Sequence, residues 1–323
     1  MKEKGDMPME EQDYWISTEG KAKLLPLSLR GLFLELGQEA CQRIEEVRLR
    51  EGQAPALVEG GREYTPSAWK TQRVTAGDIS WILEAAGHGS VHAILEQFRN
   101  GFLSVEGGHR IGLCGTVAMK GGELLNFRRI SSLSIRFCHE IKGIGEPLLP
   151  KLYLEGRLQN TLIFSPPGGG KTTLLRDLIR CVSDGVGAEA LRVGVADERG
   201  ELCGMYQGRP QRNVGRHTDV MDGCPKAMSL IMLLRGMNPQ VLAADEITAP
   251  EDIQAMEEVA GCGVTLLATA HGAAPEEIAL RPLYRELLSK EIFRRFVWIR
   301  IEAGVRQYQV VTREEMKALC CQS

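Results

Sequence analysis

The sequence predicts an α/β protein in two parts, a smaller α+β domain followed by a domain built on a mostly parallel sheet. Beyond residue 160, apolar strand patterns alternate with helical patterns, which is typical of parallel strands joined by helical crossovers. Before residue 140, helical and strand patterns are mixed, and glycine and proline accumulate between the two regions at IKGIGEPLLP (141–150). We therefore predict a disordered tail over 1–18, an α+β domain over 19–143 and the α/β domain over 144–323.

The amino-terminal domain is predicted from short local patterns. LLPLSLRGLFLELGQEACQRI (24–44) has a helical pattern, and VRLREGQAPALVEGGREY (47–64) predicts a hairpin with its turn at Gly60-Gly61. Two further helices are expected to follow Thr75 and Ser90, because their hydroxyls can accept a hydrogen bond from the first turn of a helix.

The carboxyl-terminal domain is predicted from apolar strands that end in polar residues. The strands are TLIF (161–164), RVGVAD (192–197), VLAAD (241–245), VTLLATAH (264–271) and a closing hairpin, FVWIRIE/VRQYQVV (296–311). Helical patterns separate them. Since ligands bind at the carboxyl ends of parallel strands, the polar residues that end these strands are the candidate site.

Composition argues against a nucleic-acid-binding, a disulfide-rich and a membrane-spanning protein. A formal net charge of −3 and 6% aromatic residues argue against broad nucleic-acid binding, which needs surplus Lys and Arg, so no nucleic acid is expected as a partner. The nine cysteines show no C-x-x-C pair, which favours reduced thiols in a cytoplasmic protein. No apolar run approaches the roughly 20 residues of a membrane span, and the mixed-charge start MKEKGDMPMEEQDYW predicts neither signal peptide nor anchor. A membrane role would require a partner.

The segment SPPGGGKTT (165–173) predicts a phosphate-binding loop between a buried strand and a helix. Three glycines leave room for an anion beside the main chain, and the helix that follows directs N–H groups and its positive dipole end at that anion. Lys171 is expected to reach the β- and γ-phosphates, and the Thr172 hydroxyl to bind Mg²⁺. Ser165 stands where the usual pattern has its first glycine. The predicted binding residues for ATP are Ser165, Pro166, Pro167, Gly168, Gly169, Gly170, Lys171, Thr172 and Thr173.

The strand PQVLAADE (239–246) ends in two carboxylates. In a P-loop fold such a strand lies near the nucleotide. Asp245 is therefore predicted to hold the water shell of the Mg²⁺ ion that the Thr172 hydroxyl binds. Glu246 is predicted to orient or deprotonate the attacking water, which favours hydrolysis over transfer to another substrate. The alternative is a solvated Asp-Glu pair at the start of a helix.

Two further strand ends carry candidate residues. If the strand ending at His271 lies between the loop strand and the Asp245 strand, His271 faces the γ-phosphate and can report its presence. VADERGE (195–201) places Asp197, Glu198 and Glu201 at another strand end. The alternatives are a core or surface histidine and a turn held by an ion pair with Arg199.

The order SPPGGGKTT, VADERGE, LAADEI and ATAHG resembles the P-loop, acidic box, Walker B box and histidine box of the secretion ATPase superfamily, the type II and type IV pilus and secretion motors. The resemblance extends over residues 46–275 and implies a RecA-like P-loop domain, a hexameric ring and nucleotide bound between two domains. It also implies that arginines of the amino-terminal domain complete the site. The candidates are Arg110, Arg128, Arg129 and Arg136, of which Arg128 and Arg136 are assigned a catalytic role, while Arg48 and Arg50 fit less well.

The chain departs from that pattern twice. Pilus motors have Glu before Asp in the acidic box, whereas Asp197 precedes Glu198 here, so which acid acts is left open. Their Walker B box has Gly before the catalytic Glu, a place that Asp245 fills here. The catalytic role is therefore carried to Glu246, with Glu198 and His271 as further candidates.

Three functions are compatible with these motifs. The first is a ring motor; within the superfamily the chain most resembles a sporulation ATPase, which implies integral membrane subunits of a mother cell to forespore channel as partners. The second is a RecA-like nucleic-acid translocase, which needs basic or aromatic strand-facing loops. The third is a scaffold that binds ATP without hydrolysing it, against which Lys171, Glu246 and His271 argue.

Overall fold

The computed structural model describes residues 16–87, 101–121, 123–302 and 304–320, without the side chains of 123–125. The chain forms two compact units. The first comprises the described residues up to Glu140 together with Gly204–Arg212, and the second comprises Ile141–Cys203 and the described residues from Asn213 onward. The predicted domains were continuous, whereas Gly204–Arg212 belongs with the first unit. The contacts responsible, such as the hydrogen bond from Gly107 N–H to Gln211 Oε1 (2.9 Å), join residues too distant in sequence for a local pattern to predict.

The first unit combines short helices with an antiparallel sheet. Its elements are α1 (Thr18–Lys23), α2 (Leu27–Leu34), α3 (Gln38–Arg43), β1 (Glu46–Arg50), β2 (Ala56–Glu59), β3 (Arg62–Tyr64), α4 (Ala76–Gly87), β4 (Phe102–Val105), β5 (His109–Lys120) and β6 (Glu123–Arg136). The strand order is β3-β2-β1-β6-β5-β4, with every neighbouring pair antiparallel. One face of β1 is buried through Val47 and Leu49, which pack in a core with Phe33 and Trp69.

Local patterns predicted part of this unit. The hairpin at Gly60-Gly61 joins β2 to β3, and Thr75 Oγ1 accepts a hydrogen bond from Asp78 N–H (3.1 Å) at the start of α4. The helical pattern over 24–44 forms two helices, α2 and α3, and Gly37 between them has a positive φ of 83°. The helix expected after Ser90 lies outside the described residues, as does most of the predicted tail, although Ser17 caps α1.

The long β5–β6 ribbon contains a bulge at which only glycine fits. The register shifts between Cys114 and Gly115, and a Cβ added at Gly115 would lie 2.0 Å from the main-chain oxygen of Arg129. That distance is far inside van der Waals contact, and the neighbouring atom is main chain, so the ribbon would have to deform.

Gly115→Ala is expected to lower the free energy of unfolding by about 2–4 kcal/mol, because the added methyl group overlaps a strand partner. Chemical denaturation followed by circular dichroism measures this loss. Gly112→Ala is the matched control, since a Cβ there would meet nothing closer than Ser134 Cβ at 3.7 Å. Equal stability of the two variants would contradict the prediction.

The second unit is an α/β domain. Its elements are α5 (Leu149–Leu152), β7 (Tyr153–Leu154), β8 (Arg157–Leu158), β9 (Thr161–Ser165), α6 (Lys171–Asp184), β10 (Val193–Asp197), β11 (Thr218–Asp222), α7 (Lys226–Met237), β12 (Val241–Ala244), α8 (Pro250–Gly261), β13 (Thr265–His271), α9 (Pro275–Leu280), α10 (Pro282–Ser289), β14 (Arg295–Glu302), β15 (Val305–Thr312) and α11 (Arg313–Cys320).

The main sheet of this unit has the order β11-β10-β12-β13-β9-β14-β15. All neighbours are parallel except the closing hairpin β14–β15, which confirms the predicted mostly parallel sheet. β11 was not predicted, because TDVMD is a half-exposed edge strand without an apolar run. β9, β10 and β12 are buried along their whole length.

β13 lies between β12 and β9, the position on which the interpretation of His271 depends. Ser165, Asp197 and His271 end parallel strands, and Asp245 directly follows another, so these polar residues meet at one edge of the sheet. Among the described residues, no helix is both long enough and apolar enough to cross a lipid bilayer.

Candidate functional site

The loop between β9 and α6 is a tight glycine-lined turn. Gly168 and Gly170 have positive φ angles of 74° and 98°, and Gly170 immediately precedes α6. A Cβ at Gly169 would lie 2.2 Å from Ser165 Oγ, so these two residues are packed directly against each other. A serine therefore fits the place of the first glycine only because Gly169 has no side chain. The loop ends at the amino terminus of α6, where the positive end of the helix dipole suits a phosphate group.

Lys171 lies folded back over this loop. Its Nζ donates to the main-chain oxygens of Ser165 (3.3 Å) and Pro166 (3.5 Å) and is 2.9 Å from His271 Nδ1. Burial lowers the pKa of the Lys171 ammonium, and the charges of Asp245 and Glu246 oppose that shift. The ammonium thus lies in a partly desolvated place where an anionic ligand would stabilise its charge.

Asp245 is fixed by hydroxyl groups on both sides. Thr172 Oγ1 donates to Asp245 Oδ2 (2.6 Å), and Thr269 Oγ1 is 2.5 Å from Asp245 Oδ1. Thr269 Oγ1 in turn accepts from the main-chain N–H of Glu246 (2.7 Å). Two oxygen donors, Thr172 and Asp245, therefore stand side by side at the start of α6, and oxygen donors are the ligands that Mg²⁺ prefers.

Glu246 continues this cluster of charged groups. Its carboxylate contacts His271 Nε2 through one oxygen and accepts from Arg199 Nη1 (2.8 Å) through the other. Because the Lys171 ammonium can only donate, His271 Nδ1 is the acceptor in that contact, and the ring proton is then on Nε2 facing Glu246. Lys171, His271, Glu246 and Arg199 form a continuous chain of polar contacts at the edge of the sheet.

The acidic box separates into two roles. Asp197 is buried and accepts hydrogen bonds from the main-chain N–H groups of Glu201 (2.9 Å), Leu202 (3.1 Å) and Cys203 (2.8 Å), so it holds a turn. The Glu198 side chain is 43% exposed and lines a small cleft together with Asp245 and Glu246. Of the two acids that the sequence left open, Glu198 is the one with a carboxylate available to a ligand.

The remaining predicted residues are distributed as follows. Pro166 and Thr173 are half-buried at the two ends of the loop, and Pro167 is exposed. Arg128 and Arg136 lie on β6 of the first unit, where Arg128 is exposed and Arg136 Nε is 3.0 Å from Glu46 Oε1. The assignment of these two arginines to a phosphate stays a prediction.

Sequence reasoning missed two residues of this site. Thr269 bonds both acids, and its signal was a hydroxyl inside the otherwise apolar strand LLATA. Arg306 Nε donates to the main-chain oxygen of Gly169 (3.0 Å) from the closing hairpin, and no local pattern in VRQYQVV indicates that contact.

The loop, the adjacent lysine and threonine, and an acid pair directly after another parallel strand of the same sheet define a RecA-like P-loop fold. Within that class, the chain belongs to the family described as Sporulation stage III, protein AA, which it matches over residues 17–317. It is 37% identical over 277 residues to the stage III sporulation protein AA of Bacillus subtilis (strain 168), a match that covers 85% of this chain and 89% of that protein.

Solved structures share the fold at low sequence identity. The pilus retraction motor PilT with bound ADP is 16% identical and superposes with a TM-score of 0.59, covering 91% of this chain and 86% of that chain. The ATPase DotB of Yersinia pseudotuberculosis is 14% identical, with a TM-score of 0.58 and coverages of 92% and 83%. Both likenesses concern the fold alone.

Proposed function

We propose that this protein is an ATP-hydrolysing ring motor of a membrane-associated channel complex used in sporulation. The observation that carries the proposal is the cluster at the sheet edge, in which Glu246 and Asp245 are held beside the loop by Thr172, Thr269 and His271. A carboxylate fixed next to a phosphate cradle is what hydrolysis needs, because it can accept a proton from water.

Different groups of the site bind the phosphates and the Mg²⁺ ion. Main-chain N–H groups of the glycine loop and the Lys171 ammonium bind the phosphates, for which Lys171 must leave its contacts with Ser165, Pro166 and His271. Thr172 and Asp245 would hold Mg²⁺, which when bound neutralises charge on the β- and γ-phosphates.

Glu246 is the general base of the proposed reaction. It takes a proton from water as the water oxygen bonds to the γ-phosphorus and the bond to the ADP oxygen breaks. His271 contacts both Lys171 and Glu246, so a phosphate that draws Lys171 away also changes the hydrogen bonding of the base. This is how His271 would report the γ-phosphate.

The assembly is proposed from the relatives. The family name refers to sporulation, and PilT, which shares the fold, is described as a pilus retraction motor. We expect a homo-oligomer, a hexamer, that is recruited from the cytoplasm by integral membrane subunits of the channel. Closed rings require head-to-tail subunit surfaces, and nucleotide-driven movement of each subunit would then be passed around the ring.

The proposal is tested by measuring ATPase rate and oligomer mass together, with and without candidate membrane subunits. The expected result is Mg²⁺-dependent hydrolysis by a species of about six subunits, with a rate that the membrane subunit changes. Absence of hydrolysis in every oligomeric state would contradict the proposal. Stimulation by single-stranded nucleic acid that high salt abolishes would instead favour a translocase.

Arg136→Ala is expected to slow hydrolysis at least about tenfold with little change in ATP affinity, because a guanidinium near the γ-phosphate stabilises the transition state. Steady-state kinetics and equilibrium nucleotide binding measure the two quantities, and Arg128→Ala is tested in parallel.

Arg43→Ala is the matched control, since Arg43 Nε also forms an ion pair with a carboxylate of the first unit, Glu59 Oε1 (2.6 Å), and Arg43 is not a candidate for the site. It is expected to keep the wild-type turnover. A normal rate of hydrolysis in both the Arg136 and the Arg128 variant would contradict the catalytic assignment of these arginines and leave them a structural role.

A further inference from the structure

Lys226 is a buried lysine at the first position of α7, close to both acidic segments of the site. Its side chain is 5% exposed, and its Nζ donates to the main-chain oxygen of Glu246 at 2.5 Å. The same atom is 3.4 Å from Asp252 Oδ2 and 3.8 Å from Glu198 Oε2. One ammonium group therefore contacts the loop that carries the catalytic base and approaches the carboxylate of the acidic box.

The local structure does not require a lysine at this position. A cation at the amino terminus of a helix opposes the helix dipole, and burying an ammonium group costs several kcal/mol before its contacts offset that cost. Asp252, its nearest carboxylate, already accepts hydrogen bonds from the main-chain N–H groups of Thr248 (3.0 Å) and Ala249 (3.1 Å) at the start of α8. Asp252 thus has partners of its own.

The Glu246 backbone, by contrast, needs support. Glu246 has a positive φ of 53°, a conformation that costs a residue with a side chain about 1–3 kcal/mol. Its main-chain N–H donates to Thr269 and its main-chain oxygen accepts from Lys226, so both polar groups of this residue are held by side chains. The direction of the Glu246 carboxylate depends on that backbone conformation.

We infer that Lys226 is a positioning residue, which holds the Glu246 backbone and the Glu198 carboxylate at a fixed separation. The inference rests on the proposed hydrolytic function of Glu246. Lys226 acts through Glu246, because it keeps the base aimed at the place that the attacking water would occupy. Its loss is therefore expected to lower turnover and to leave the affinity for ATP intact, because the glycine loop, Lys171 and Thr172 do not depend on it.

The test compares Lys226→Met with wild-type protein in the full chain, at a temperature well below the melting temperature of both. We expect kcat to fall about 10- to 100-fold while the Kd for ATP stays within about threefold, since displacing a catalytic group by an ångström costs on this order. Lys226→Arg keeps the positive charge but puts a larger, planar group at this position. It is expected to bind ATP normally, with a kcat between those of wild-type protein and Lys226→Met.

Arg180→Met is the matched control for stability. Arg180 forms a largely buried ion pair with Asp177 in the same unit (2.8 Å), and no residue of the site contacts it. It is expected to lower the melting temperature as Lys226→Met does, with unchanged kcat. Wild-type kcat in Lys226→Met would overturn the inference, as would a loss of ATP affinity equal to the loss of kcat.

Two further outcomes are decisive. If Lys226→Met does not fold, Lys226→Arg alone decides: a reduced kcat with normal ATP affinity supports the inference, and a wild-type kcat overturns it. If Lys226→Met keeps its turnover while Glu246→Gln has none, the positioning role fails and the proposed function stands. Absence of turnover in wild-type protein would contradict both the positioning role of Lys226 and the proposed hydrolytic function.

Discussion

Glu246→Gln is expected to bind ATP as tightly as wild-type protein and to hydrolyse it at least about 100-fold more slowly, because removal of a general base costs on this order. The amide has the shape of the carboxylate and can still accept a hydrogen bond from Arg199 or His271, but it cannot take a proton from water. Single-turnover hydrolysis and equilibrium nucleotide binding measure the two parts of the prediction separately.

Glu251→Gln is the matched control for this change. Glu251 is exposed in the first turn of α8, five residues further along the chain, so the same substitution removes a charge near the site without altering it. It is expected to keep the wild-type rate. Unchanged turnover in Glu246→Gln would remove the assignment of the base and leave Glu198 as the acid to test.

Lys171→Ala is expected to abolish measurable ATP binding, with a loss of affinity of at least about 100-fold. Two charge-assisted hydrogen bonds to phosphate oxygens, at about 1.5–3 kcal/mol each, account for a loss of this order. Isothermal titration with ATP and Mg²⁺ measures it. Lys151→Ala, at an exposed lysine of the same unit, is the control and is expected to bind ATP normally.

A role of Lys171 in binding phosphate and a role in supporting the fold predict different effects on stability. Because burial lowers the pKa of Lys171, its charge is stabilised poorly in the free protein. Lys171→Met is therefore expected to leave the melting temperature without nucleotide unchanged or higher, and to remove the rise that ATP produces. A large drop in melting temperature without nucleotide would show that the lysine supports the fold instead.

The sequence predicted the parts of this protein in which neighbouring residues determine the structure. The buried strand, glycine loop and helix at 161–184 follow one another directly, and an apolar strand that ends in Asp245-Glu246 can be recognised without knowing its partners. The interpretation of His271 depended on β13 lying between β12 and β9, a condition that the sequence left open and the structure meets.

The parts that could not be predicted depend on contacts between distant residues. Thr269 and Arg306 become part of the site only because β13 and the closing hairpin pack beside the loop strand. Likewise, the order of Asp197 and Glu198 gave no means of choosing between them. Three main-chain N–H groups bind the Asp197 carboxylate, and their direction is set by a turn that no short pattern predicts. The catalytic role of Glu198 stays a prediction.

The membership of Gly204–Arg212 in the first unit has a consequence for synthesis of the chain. Tyr206 pairs with Arg209 in a small hairpin of that segment, and Gln211 accepts the hydrogen bond from Gly107 N–H. A ribosome must therefore produce the glycine loop and β10 before the last piece of the first unit emerges. A gene split at residue 140 would yield an amino-terminal fragment that lacks Gln211, the acceptor for Gly107 N–H.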